Sequence, residues 1–138
     1  MNKKLITKNI LLGVLSWVIP FVVSLLFVKP GGEFIVPYAT FKSIIMVVGT
    51  MSGCYLFYRY FKYVENDFVK NGVIVGLSWF AINIILDTLV LIPMMNATFA
   101  EYFMSIGIGY FAIPTISLAM SFLLQRKARS NQANVANE

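Results

Sequence analysis

The sequence predicts an all-α polytopic membrane protein, a bundle of four transmembrane helices. Three observations carry this. Hydrophobic residues make up 59% of the 138 residues and charged residues only 12%. Soluble domains carry about 25% charged and 45–50% apolar residues. The mean hydropathy is +0.78. Four apolar segments approach the roughly 20 residues that a helix needs to cross a bilayer. A β-barrel would show alternating strands of about ten residues, and no such pattern occurs.

The first span is predicted over 10–28, between Lys8 and Lys29. Lys3, Lys4 and Lys8 resemble the basic region of a signal peptide. The apolar stretch exceeds the usual 7–15 residues, however, and no A-x-A site follows, so the helix is expected to be retained. The second span covers about 39–58 and ends at Arg59. The third covers about 73–95, and the fourth about 103–124, ending before Arg126. These spans form one membrane domain over 1–129. The polar tail at 130–138 lacks aromatic residues and is expected to be disordered.

Basic residues set the orientation. Lys3, Lys4 and Lys8 precede span one, Arg59, Lys62 and Lys70 separate spans two and three, and Arg126, Lys127 and Arg129 follow span four. The other side holds Lys29, with Lys42 just inside span two. The positive-inside rule places both termini and the central loop in the cytoplasm of a cell-membrane protein. The net charge of +5 and pI near 9.4 then point to anionic lipid at the cytoplasmic face, not to nucleic acid. The aromatic run Tyr55, Phe57, Tyr58, Tyr60, Phe61 and Tyr63, interleaved with Arg59 and Lys62, reads as an interfacial belt. Asn96-Ala97-Thr98 matches a glycosylation sequon, a triplet that often arises by chance.

The two halves align without gaps at an offset of 62. Lys8-Asn9 matches Lys70-Asn71, and Leu15-Ser16-Trp17 matches Leu77-Ser78-Trp79. Val28, Phe41, Ser43, Ile44 and Leu56 match Val90, Phe103, Ser105, Ile106 and Leu118. This predicts two tandem hairpins related by an axis along the membrane normal, with Trp17 and Trp79 equivalent. Convergent apolar patterning is the alternative. Small-residue steps at Gly49/Gly53, Gly72/Gly76 and Ser105/Gly109 predict close helix packing, within the monomer or between copies of a homo-oligomer. Pro20 and Pro114, read as mid-span, predict kinks.

Several chemistries lose their usual residues. There is no histidine, and the single cysteine, Cys54, permits no intrachain disulfide or CxxC site. No Walker loop, GxGxxG, GxSxG or HExxH occurs. No cofactor, metal site or catalytic residue is therefore predicted.

One residue stands out. Asp87 is the only acid inside a span, where a central Asp costs about 2.5–3.5 kcal/mol on insertion scales. Trp79, Asn83 and Asp87 are spaced by four and share one helical face. Asn83 could donate its amide to the carboxylate. Two readings follow. Asp87 could serve a transport or ligand site, or it could pair with Lys42, which lies about 6 Å away along the normal at about 1.5 Å per residue.

The run Gly76-Leu77-Ser78-Trp79 through Asn83, Asp87 and Pro93, then Gly109-Tyr110 and Pro114, resembles a group of small four-helix prokaryotic membrane proteins. Those proteins share a W…N…D…P third helix and a Y…P fourth helix, and the resemblance implies no activity. Small multidrug exporters are similar in size and span count. Their pattern places an essential glutamate in the first helix, and span one here has no acid. The expected role is a non-enzymatic multipass protein, accessory or housekeeping. A small oligomeric transporter or channel built on Asp87 is the alternative, and an intramembrane enzyme acting on lipid has the weakest support.

Overall fold

The computed structural model describes residues 3–29 and 33–135, with the side chain of Val135 excepted. Among these residues the chain forms helices α1 (Lys3–Leu25), α2 (Tyr38–Phe61), α3 (Phe68–Leu86), α4 (Ile92–Met95), α5 (Phe99–Ser105) and α6 (Ala112–Val135). A π-helical turn over Asp87–Leu91 joins α3 to α4, and a 3₁₀ turn over Gly107–Phe111 leads into α6. Four segments are long and apolar enough to span a bilayer: Lys3–Leu25, Tyr38–Phe61, Phe68–Met95 and Gly107–Asn134. The protein is an all-α, four-span membrane bundle.

Several boundaries differ from the sequence expectation. The first helix starts at Lys3 and stops at Leu25. Val28 leaves it to pair with Phe34 in an isolated antiparallel bridge. The fourth span begins at Gly107, not at residue 103. Residues 99–105 instead form the separate α5, started by a capping box between Thr98 and Glu101. Ile106 then adopts φ −124°, outside the helical region. Gly107 follows, where a Cβ would lie 2.6 Å from the Phe103 ring. Pro114 consequently sits in the first turn of α6, where a missing N–H costs little, and is no mid-span kink. α1 runs through Pro20 as one helix. The expected disordered tail is helical from Ser130 to Val135, in a stretch without Gly or Pro. Residues 136–138 lie outside the described ones.

The π turn has a local cause. Pro93 lacks an N–H and its ring would crowd the carbonyl four residues earlier, that of Leu89. Widening the turn lets the Ile92 N–H reach back to the Asp87 carbonyl. The helix thus crosses Pro93 without stopping.

α3 is the central helix, packed on α6 and on α1, and α1 also packs on α2. The Gly72/Gly76 step makes the α3–α6 contact. A Cβ at Gly76 would lie 2.9 Å from Pro114 Cα, and one at Gly72 would overlap the Ser121 side chain. The Ser117 hydroxyl donates to the Gly72 carbonyl at 2.7 Å. Gly13 does the same for α1 and α3, where a Cβ would lie 2.8 Å from both the Trp79 and the Ile82 side chains. The other two steps do not pack closely. A Cβ at Gly53 would meet nothing within 4 Å, and one at Gly49 only Pro20 at 3.9 Å. Ser105 and Gly109 fall on opposite sides of the break at Ile106, so they share no continuous helical face.

The aromatic run at the end of α2 divides by face. Tyr55, Tyr58 and Tyr63 are exposed, as a belt requires. Phe57, Tyr60 and Phe61 are instead core residues, clustered with Leu56, Val64, Val75 and Trp79. Lys8 stands 2.8 Å from the centre of the Tyr63 ring, tying the start of α1 to the end of α2.

Candidate functional site

The interface of α1 and α3 carries a ladder of buried polar groups. Near the basic end, the Trp79 indole donates to the Asn9 side-chain oxygen at 2.8 Å and to its carbonyl at 2.9 Å. Ser78 donates to the same side-chain oxygen at 3.0 Å. One turn on, Asn83 donates to the Ser16 hydroxyl at 3.1 Å and to the Trp79 carbonyl at 2.8 Å. Asn83 therefore does not serve Asp87, as its spacing had allowed. Within a helix an asparagine side chain can back-bond to the carbonyl four residues earlier, and Asn83 does so with Trp79.

Asp87 ends the ladder and is 2% exposed. Its Oδ1 accepts from the Trp17 indole at 2.6 Å. Its Oδ2 accepts from the hydroxyls of Tyr102 and Tyr110, each at 2.7 Å. Every buried side-chain polar atom among the described residues has a hydrogen-bond partner. Asp87 thus ties together α1, the π turn, α5 and the 3₁₀ turn. Its place at the first residue of the π turn directs the carboxylate between these elements.

Lys42 is not its partner. The expected Lys42–Asp87 pair is replaced by three neutral donors, which solvate the carboxylate without a second desolvated charge. Lys42 instead lies half-buried on the wall of a cavity of about 480 Å³ that Asp87 also lines. Pro20, Phe21, Phe41 and Tyr110 belong to the same wall. A second cavity, of about 140 Å³, lies nearer the middle of the bundle and is lined from α1, α2, α3 and α6. The two share Pro20, Lys42, Ile45, Ile106 and Tyr110. Gly49 and Gly53 line the deeper one, so their missing side chains leave space where the sequence pattern implied contact.

Of the predicted residues, the fold brings Trp79, Asn83 and Asp87 onto the α1–α3 interface and sets Lys42 across the cavity. Spacing alone did not reveal Trp17, Tyr102, Tyr110, Asn9 or Ser16 as partners. Trp17 and Asn9 were flagged by the repeat, and Asn9, Gly13 and Ser16 share one helical face of α1. Tyr102 carries no such signal, because its reach depends on the turn at Ile106. Comparison with family models, curated proteins and solved structures finds no match to this chain.

Proposed function

We propose that this chain is a small, non-enzymatic multipass protein of the cell membrane, with both termini cytoplasmic, whose outer half is a ligand-binding or transport cleft built on Asp87. One observation carries the reading. A buried carboxylate with only neutral donors lines a cavity, and a lysine that does not pair with it lines the same cavity. Intramembrane acids face a bundle interior or a water-filled cavity and mark ligand or ion paths. The donor set also speaks against acid–base work. Both oxygens of Asp87 already accept hydrogen bonds, and a lone acid would be a thin basis for catalysis. Membership of the small four-helix prokaryotic group, with anionic lipid around the basic end, belongs to this reading.

The accessory-protein reading has its own support. The same cage joins four elements, so Asp87 could act as a structural tie alone. Water access separates the two. Ser24 lines the cavity, and Cys54 is the only native thiol. In a Cys54→Ala background, Ser24→Cys should react with a charged, impermeant thiol reagent applied outside intact cells. Reaction only in inverted vesicles would reverse the orientation and keep the cleft. No reaction in cells, inverted vesicles or detergent would leave the cavity dry and favour the structural tie.

A further inference from the structure

We infer that the cleft binds a zwitterion, its ammonium group at Asp87 and its anionic group at Lys42, with an apolar body in the deeper cavity. This rests on the cleft being a ligand site, as proposed above.

The charges decide the class. Asp87 and Lys42 line one cavity without pairing. A pure anion would meet Asp87, and a pure cation would meet Lys42, each a like-charge contact in a region of low dielectric. A ligand with both charges offsets both walls and adds no net charge to the membrane interior. Asp87 can take such a partner. A carboxylate has about four lone-pair positions, of which Trp17, Tyr102 and Tyr110 occupy three. The cage also fixes the carboxylate, so little reorganisation accompanies binding. The same cavity wall carries the aromatic rings of Phe21 and Phe41, side chains whose π systems attract an ammonium more than an uncharged polar group. Beyond Lys42 the deeper cavity is walled by Ile45, Gly49, Gly53, Ile113 and Ile116, and accepts an apolar side chain or the start of an acyl chain.

Two sources share this chemistry, a free α-amino acid and a phosphate–amine lipid headgroup. The test uses purified full-length protein in detergent and calorimetric titration. The probes are L-phenylalanine, phenethylamine, which lacks the carboxylate, and hydrocinnamate, which lacks the ammonium. Dihexanoyl phosphatidylethanolamine is the lipid arm, with dihexanoyl phosphatidylglycerol as its control.

At least one zwitterion should bind, and the singly charged analogue of that zwitterion should bind about tenfold or more weakly. In Lys42→Met the difference between phenylalanine and phenethylamine should collapse, whereas the two lipids, which differ in the ammonium met by Asp87, should both weaken and keep their difference. Binding of phenylalanine alone assigns a free zwitterion, and binding of the ethanolamine lipid alone assigns the headgroup. Phenethylamine binding as tightly as phenylalanine to the unaltered protein overturns the inference, as does no binding by either zwitterion. Reaction of Ser24→Cys with the impermeant reagent is read separately. A wet cleft that rejects zwitterions ends this inference alone, and a dry cavity ends both.

Discussion

Asp87 is where sequence and structure differ most instructively. Its depth and chemical cost are visible in the sequence, and the fold confirms its burial. Its partners are not visible, because they arrive from three separate segments. Replacing Asp87 by Asn keeps the shape and changes the chemistry. The cage presents three donors, and an amide NH₂ must face at least one of them. The loss should be about 1–3 kcal/mol, the range for an unsatisfied buried group. It would appear as a lowered unfolding temperature in detergent. Asp87→Leu strands all three donors and should cost more. Lys42→Met breaks no bond to Asp87 and swaps one flexible side chain for another on the cavity wall, so it should stay within about 0.5 kcal/mol. The Asp87→Asn and Lys42→Met effects should add. A coupling above about 1 kcal/mol in the double-mutant cycle would return the ion pair to consideration.

Among the elements, the four spans were legible because burial in lipid demands long apolar runs. The small-residue steps were legible only as a pattern. Spacing identifies residues that allow close approach, and the partner helix decides whether it happens. Gly76→Ala sets a Cβ against Pro114 backbone and should destabilise by about 1–3 kcal/mol, as overpacking does. Gly53→Ala enters open space and should stay within about 0.5 kcal/mol. The break before α6 was not legible, since Phe103–Gly109 reads as apolar helix and only the turn at Ile106 interrupts it. Its outer support is α5, capped by Thr98. The Thr98 backbone N–H and hydroxyl both hold the Glu101 carboxyl below its ordinary value of 4.5. A depressed carboxyl stabilises the fold above its unfolded value, and that stability is lost as pH falls through the folded value. Amide exchange in α5 should therefore quicken as pH drops from about 4.5 downward, once corrected for intrinsic rates. Thr98→Ala removes the hydroxyl and keeps the backbone N–H, the larger cause, so it should weaken that pH response without abolishing it.

At the scale of the whole molecule, the two halves are hairpins but do not sit at equal depth. An axis along the normal would set residues 62 apart side by side. Across the α1–α3 interface the bonded pairs are instead separated by 70 for Asn9 and Trp79, 67 for Ser16 and Asn83, and 70 for Trp17 and Asp87. Even the smallest of these implies a slip of about five residues, or about 7.5 Å at the helical rise. Trp79 consequently reaches back towards the basic end, while Trp17 reaches forward to Asp87. The acid has no counterpart in the first half, where Leu25 holds the matching position. The cleft that Asp87 lines lies at the end of the bundle away from the basic residues, so its direction depends on membrane orientation. With Lys3, Lys4, Lys8, Arg59, Lys62, Lys70, Arg126, Lys127 and Arg129 at one end, that end should face the cytoplasm. A reporter fused after Ser130 should be active only as a cytoplasmic enzyme, and one inserted between Asn96 and Thr98 only as an exported one. Export of the Ser130 fusion would invert the molecule. The cleft would then face the cytoplasm, and its ligand would have to be drawn from the inner leaflet or the cell interior.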